Sequence, residues 1–416
     1  MTNTNAPGRR VLVVGLGISG ITTALRLRQI GWEPVVVEKA PARRTGGQYI
    51  VMFGAGQAAA RRLGILDRMT DRTVADGSAF SVDRAGNRRR VPNFAEQTEQ
   101  FAAQSAPYML MRGDVEEAAF SALPGDVDIR FSTVPSSIVQ DADGVDVTLT
   151  HTVDGATTTE RFDLVVGADG LRSTVRSLVF GPHSAYVRRL GVMYALIPMS
   201  EPPAGYTWTD SVMLQEPGRT MQVVPIAGRT PVALLAYHTA DVDAEFREPP
   251  AQRLREVFSS GPADRELGHV LSVLDNMKDA NDVLFDSAEQ VHMNRWHTGR
   301  VVLVGDAAWC TTLIAGMGVS SGLAGAELLG TMLHRYPDDL DRALNSWEAR
   351  LRPFLDYYGT LARRRQGAIA PANQWQVKVN RCLSVAIGHP LVGPLLKRLA
   401  ATGKEARMRS ADIAAV

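Results

Sequence analysis

Apolar positions along this chain follow two different rhythms. Val11-Leu12-Val13-Val14 is an unbroken β-branched and leucine run, as expected of a strand covered on both faces of a parallel sheet. From residue 19 to 30 the spacing turns helical, with Ile21, Ala24, Leu25 and Leu27 apolar, and Gly31 stops it. Val35-Val36-Val37-Glu38 then reads as a second buried strand. Strand, helix and strand in about 30 residues make one βαβ unit with a right-handed crossover. A second helix is expected over 56 to 69 and a third over 112 to 121. Residues 163 to 170 (DLVVGADG) and 300 to 308 (RVVLVGDAA) repeat the buried-strand style, each ending in a glycine turn. A small-residue helix is expected from about 318 to 334.

The second rhythm is alternating. Residues 78–92 read as a hairpin around Ala85-Gly86-Asn87, and 127–150 as antiparallel strands turning at Asp143-Gly144. Between about 185 and 285 come VMYALIPM, MQVVPI and PVALLAYH, then a charged helical stretch at 250–278. This texture suggests a mainly antiparallel sheet layer inserted into the parallel one. The remainder, roughly 340 to 405, is helical and amphipathic. The fold class is therefore α/β, a Rossmann-like domain with an inserted antiparallel sheet and a helical C-terminal region.

Composition narrows the class without choosing a function. The 416 residues are 45% hydrophobic and 21% charged, which is ordinary globular material. Lys plus Arg number 45 against 44 for Asp plus Glu, so there is no general field for a nucleic-acid backbone. Arg88-Arg89-Arg90 and Arg363-Arg364-Arg365 read as solvated faces. Cys310 and Cys382 cannot make a disulfide framework, which fits a reducing compartment. No apolar stretch reaches the ~20 residues of a membrane span, and the start lacks a signal-peptide pattern, so a cytoplasmic location is expected.

Gly15-Leu16-Gly17-Ile18-Ser19-Gly20 follows a strand and opens a helix. In such a turn the first glycine permits the tight bend, the second admits a pyrophosphate, and the third lets helix pack on strand. The helix start adds amides and the positive end of its dipole. Glu38 closes the next strand where a carboxylate can accept from ribose hydroxyls, which fits FAD or NAD better than NADP. Asp169-Gly170-Leu171-Arg172-Ser173-Thr174-Val175-Arg176 follows one later strand. Gly305-Asp306-Ala307-Ala308 follows another, with Ala315-Gly316-Met317-Gly318 opening a helix behind it. The small residues let a flat ring approach the backbone, and the helix start can stabilise negative charge on it.

These three segments, in order and spacing, resemble the class A flavoprotein monooxygenases, the p-hydroxybenzoate hydroxylase-like family. The resemblance covers about 10 to 370 and is weakest in the middle sheet. It implies an FAD-binding domain over 1–75, 106–180 and 285–340, a substrate-domain sheet over 76–105 and 181–284, and a helical region over 341–416. It further implies that Gly15, Gly17, Ser19, Gly20, Glu38 and Lys39 hold the ADP half, with Arg112 touching the nucleotide. Arg43 or Arg44 would reach the phosphates. Asp169 and Gly170 would serve both FAD and NAD(P)H, Asp306 the ribityl chain, and Gly316, Met317 and Gly318 the pyrimidine edge. The implied reaction consumes NAD(P)H and O2 and passes through a C4a-hydroperoxyflavin. Hydroxylation, epoxidation or Baeyer–Villiger oxidation of an apolar organic substrate, natural products included, would follow. No catalytic residue and no metal site is assigned, and NADH or NADPH stays open, as does oligomeric state.

Two departures stand out. The family commonly reads G-D-A-A-H with a proline four residues on, in a loop facing the site of oxygen activation. This chain has Trp309 and Leu313 there. They motivate an alternative, a redox-neutral cyclase with FAD as scaffold, and the basic tail after 371 motivates a second, a non-catalytic flavoprotein. Cys310 is expected to be a small buried residue and Trp296 a core aromatic. His292 and His297 lack the cysteine or carboxylate cluster of a metal site. Tyr194, Trp208, Met221, Tyr237 and His238 are candidates to line a substrate cavity, each with a core or surface role as the plainer expectation.

Overall fold

The computed structural model describes residues 8–43, 46–83, 86–98, 106–259, 283–389, 391–393, 395–396, 398 and 403–415. Its central layer is a six-stranded sheet. The order is His297–Thr298, Val301–Leu303, Leu164–Gly167, Arg10–Val14, Glu33–Val37, Asp128–Arg130. All neighbours are parallel except the first pair. The N-terminal strand is central, and its side chains from Val11 to Val13 are fully buried, as a strand covered on both faces requires. Helices Ile18–Gln29 and Gly318–Arg335 pack on one another over it.

A seven-stranded sheet forms the second layer, in the order Leu284–Val291, Val187–Pro198, Val232–His238, Arg219–Val224, Ser211–Glu216, Ala79–Val82, Arg88–Val91. Both of its faces are apolar, and the strand period of two divides them. Met193, Ala195, Ile197, Ala233, Leu235 and Tyr237 point one way, onto Leu254 and Phe258 of helix Pro250–Phe258. Leu196, Val232 and Leu234 point the other way, onto Met109 and its neighbours in the two-stranded hairpin Tyr49–Met52/Tyr108–Met111. A three-stranded sheet, Thr133–Gln140, Val145–His151 and Thr157–Phe162, completes the strands.

Local expectations differ from the structure in several places. The helix expected over 56–69 runs Gly54–Arg62 and breaks at Gly64, whose φ is +72°; a short 3-10 turn, Leu66–Arg68, follows. Asp128–Arg130 is not part of an antiparallel ribbon but the edge of the parallel sheet, paired with Val35–Val37. Arg88-Arg89-Arg90 is a solvated face, though on a strand. Of the helical stretch expected over 250–278, Pro250–Phe258 is helix and residues 260–278 lie outside the described residues.

Candidate functional site

Four parallel strands release the chain at one edge of the sheet: Val14 into Gly15, Val37 into Glu38, Gly167 through Ala168 into Asp169, Leu303 through Val304 into Gly305. The N-terminal strand feeds its neighbour on one side first and only later its neighbour on the other, which opens a crevice at this edge. A single cleft lined by Gly15, Gly17, Glu38, Lys39, Arg43, Arg112, Asp169, Gly170 and Arg172 fills that crevice.

The glycine turn works by close approach. A Cβ at Gly20 would stand 1.9 Å from the Gly15 carbonyl oxygen, and one at Gly15, where φ is +103°, 2.6 Å from that of Ala168. Gly17 differs. A Cβ there would meet only Arg112 Nη2 at 3.5 Å and Glu116 Oε1 at 3.9 Å, so its open side is the cleft itself. Gly17 also leaves the following helix without a capping side chain, so the first-turn amides remain available to an anion. The Glu38 carboxylate accepts from the backbone amides of Leu16 (2.8 Å) and Ala40 (2.9 Å), which fixes it beside the turn.

The three segments are tied together by small contacts. Ser19 Oγ lies where Cβ atoms at Gly305 and Gly322 would be, 2.3 and 2.7 Å away. Ser19 is thus the small residue through which the first helix, the 305–308 turn and the helix Gly318–Arg335 meet. Asp169 accepts from Ser173 Oγ (2.6 Å) and from the amides of Thr174 and Val175, capping helix Thr174–Val179; burial nevertheless pushes its pKa up. Arg176, fully buried, donates to the carbonyls of Ala307 (2.7 Å) and Leu171 (2.6 Å) and meets His183 Nδ1 at 2.8 Å. It therefore couples the second glycine segment to the third.

Asp306 is reachable by water from the cleft yet enclosed by protein on its other sides. That enclosure raises its pKa, against the pull of the Arg112 guanidinium. Arg112 is itself oriented by Glu116 Oε1 at 3.0 Å. Farther along, Gly316 has φ +66°, Met317 is buried, and a Cβ on Gly318 would enter open space. The helix that starts there has no acidic residue in its first turn. A flat, electron-rich group has room to lie against this backbone.

Next to the cleft, on the side of the large sheet, stand side chains from several segments. Tyr194 and Asp286 are cross-strand partners on the inner face of the large sheet, and Asp286 stands 3.6 Å from Arg172. Tyr194 and the half-buried Tyr49, Phe94, Met111, Leu284 and Leu313 border the interlayer cluster of Met109, Leu196, Val224, Ile226, Val232 and Leu234. Burial pushes the Tyr49 phenol up to about 12 and the Tyr194 phenol up further. Burial likewise raises Asp286, helped by Glu289 and opposed by Arg172.

Of the sequence candidates, Gly15, Gly17, Glu38, Lys39, Arg112 and Asp169 line one cleft. Asp306 faces Arg112 at its end. Gly20 and Ser19 pack beneath it. Arg43 lines the cleft, pairs with Glu117 (2.6 Å) and stacks on Phe120, while Arg44 lies outside the described residues. Trp309 requires a correction. Its indole does not face the cleft but sits in a cage with Trp296 (4.8 Å) and Trp347 (5.8 Å), its Nε1 donating to Ser321 Oγ. Only Leu313 of the two departures borders the interlayer region. It is presented by Thr312, held at φ +72° with its Oγ1 accepting from the Ile314 amide.

Among the cavity candidates, Tyr194 alone borders this region. Met221 and Tyr237 belong to the core on the far face, Trp208 is exposed, and His238 Nε2 bonds the Ala370 carbonyl. Cys310 is buried, and its Sγ donates to the Glu289 carbonyl. His297 lies buried 3.7 Å from Glu348. Sequence reasoning missed Tyr49, Met109 and Met111. The one signal for them was a pair of four-residue apolar runs, Tyr49-Ile50-Val51-Met52 and Tyr108-Met109-Leu110-Met111, too short to stand out.

Comparison with known proteins agrees with this geometry. Residues 9–341 match the family described as an FAD binding domain. A flavin-dependent monooxygenase of Legionella longbeachae is 30% identical, over 83% of this chain and 86% of its own. An FAD-dependent monooxygenase of Sarocladium schorii is 28% identical, over 90% and 91%. Among solved structures, the tetracycline destructase Tet(51) superposes with a TM-score of 0.73 at 25% identity, covering 95% of this chain and 100% of that one. Klebsiella pneumoniae HpxO, complexed with FAD and uric acid, has the same fold, with a TM-score of 0.74, 21% identity, and 96% and 99% coverage.

Proposed function

We propose that this chain, which belongs to the FAD-binding-domain family of flavin-dependent monooxygenases, transfers one oxygen atom from O2 to a largely apolar organic substrate, with NAD(P)H as reductant. One observation carries the reading. The crevice at the carboxyl edge of the parallel sheet combines a dinucleotide turn with a buried-strand frame, and through Arg172 and Asp286 it adjoins Tyr194 and the apolar interlayer cluster.

FAD, when bound, supplies the redox chemistry and the activation of O2 that no side chain can perform. The chain's own residues bind, orient and exclude water. The amides after Gly17 would hold the pyrophosphate, and Glu38 the ribose hydroxyls. Asp306, opposite Arg112, would accept from the ribityl hydroxyls, and the helix start at Gly318 would stabilise negative charge beside it. Met109, Leu196, Val224 and Leu313 would keep the reacting region dry, so that the field of fixed dipoles is not screened by water. The hydroxyls of Tyr49 and Tyr194 have no protein partner among the described residues. Their raised pKa values keep both protonated at neutral pH, where they would donate to an oxygen of the substrate.

Incubation of the holoprotein with NADH or NADPH under labelled O2 and candidate aromatic or polycyclic substrates tests this. One labelled atom in the product, with reductant oxidation that rises on adding substrate, is expected. Product formed without reductant or label would instead identify redox-neutral chemistry.

A further inference from the structure

The C-terminal helix Gln374–Gly388 is docked inside out. Two of its polar side chains, Asn380 and Arg381, face the body of the protein. Asn380 donates to Gln215 Oε1 (3.3 Å) and the Gly367 carbonyl (3.0 Å), and Arg381 reaches Asp83 at 3.4 Å. Trp375, Val379 and Leu383, at successive i, i+4 positions, point to solvent, 71%, 41% and 55% exposed. Leu391, Val392 and Leu395, in the segment that follows, are exposed too. Six of the eleven exposed large hydrophobic side chains among the described residues thus fall in 21 positions. Elsewhere they are scattered singly, which is ordinary; a contiguous stripe is not.

Charge identifies what would cover it. From Tyr357 to Lys404 inclusive the sequence has eight Lys or Arg and no Asp or Glu, in a chain whose totals are 45 and 44. Lys378 is exposed on the apolar stripe itself, and Arg398 is exposed beyond it. A second copy of this face would bring two such cationic segments together, so self-association is opposed by like charge. An apolar stripe with a tryptophan at one end and flanking cations matches the chemistry of an anionic bilayer surface.

We propose that this helix and the turn after it dock the enzyme peripherally on membranes rich in anionic lipid. Trp375, Val379, Leu383, Leu391 and Leu395 would enter the headgroup boundary, with Lys378 and Arg398 against lipid phosphates. No helix among the described residues is long and apolar enough to cross a membrane, so the attachment is to one surface. An apolar substrate partitioned into the bilayer would then be concentrated near the enzyme.

The test is co-sedimentation of the FAD-loaded full chain with vesicles of phosphatidylglycerol mixed with phosphatidylcholine, and with phosphatidylcholine alone. Binding to the first, at least about tenfold weaker on the second and falling with added salt, is expected. Trp375→Ser with Leu383→Ser, and separately Lys378→Glu with Arg398→Glu, should each cut binding about tenfold or more while flavin content and basal turnover stay unchanged. Absence of binding to the anionic vesicles, equal binding to both compositions, or variants that bind as well as the parent would overturn the proposal. A dimer in sedimentation velocity that the serine pair abolishes, without vesicle binding, would assign the stripe to a second copy instead.

Discussion

At the carboxyl edge of the parallel sheet, the groups poised for a ligand are mostly backbone. Amides after Gly17, the carbonyl contact beneath Gly20 and the helix start at Gly318 depend on the absence of side chains. Of the side chains there, Glu38 and Asp169 are held by backbone amides, and Arg176 behind them donates to the Ala307 carbonyl. Across the cleft the reverse holds. The neighbouring cluster of Tyr49, Met109, Tyr194, Leu196, Val224 and Leu313 is made of side chains from segments far apart in sequence, with two phenols that have no hydrogen-bond partner among the described residues. An end built from backbone tolerates almost no change of shape, whereas an end built from side chains can be refitted to another molecule. Such a division suits a cofactor that stays constant and a substrate that varies between relatives.

Substitutions should separate the two ends. Gly20→Ala is expected to be the most damaging, because the new Cβ would overlap the Gly15 carbonyl. A loss beyond about 4 kcal/mol, seen as absent flavin absorbance or insoluble protein, should result. Near-normal flavin content would show that the turn can relax. Trp309→His, which restores the residue common in relatives, should cost about 3–5 kcal/mol in thermal or denaturant unfolding through loss of packing in the three-tryptophan cage. Flavin bound per folded molecule should not change. A shifted flavin spectrum in that variant would place the position at the cleft after all.

Asp306→Asn should weaken FAD by about 1.5–3 kcal/mol in a fluorescence titration, since charged-acceptor hydrogen bonds are lost. The same change should stabilise the apoprotein. The protein enclosing Asp306 on its inner sides raises its pKa in the fold, so the folded state binds the proton more readily than the unfolded one. The apoprotein therefore loses stability as pH rises from the ordinary carboxylate range through the raised pKa, and the asparagine variant should show a shallower decline. An identical pH profile would mean that the carboxyl is not desolvated. Smallest of all, Tyr194→Phe should leave FAD affinity intact and cost about 0.5–1.5 kcal/mol in kcat/KM for substrate oxidation. An altered flavin affinity would join the two ends that the geometry separates.

The difference between the ends also explains what could be read in advance. Gly15, Gly17, Gly20 and Glu38 lie within 24 positions, and the stereochemistry of one turn assigns each its place whatever the rest of the chain does. Asp169 and Gly305-Asp306 were legible for the same reason, each following an apolar run. The neighbouring cluster was not. Met221 and Tyr237 have the composition of cavity residues but the wrong parity on their strands, and Tyr194 has the right one. Parity cannot be turned into inside or outside when both faces of a sheet are apolar. Nor could sequence show that Trp309 points into the core, because Trp296 and Trp347 stand on other elements.

By itself, then, the sequence determined the parallel-sheet frame and the dinucleotide turn, since both follow from local hydrogen bonding and the steric freedom of glycine. Only the tertiary structure decided which face of the large sheet meets the cleft, that Arg176 links two glycine segments through the Ala307 carbonyl, and that helix Gln374–Gly388 turns its apolar stripe outward. Those outcomes depend on contacts between residues distant in sequence, and such contacts leave no periodic trace along the chain.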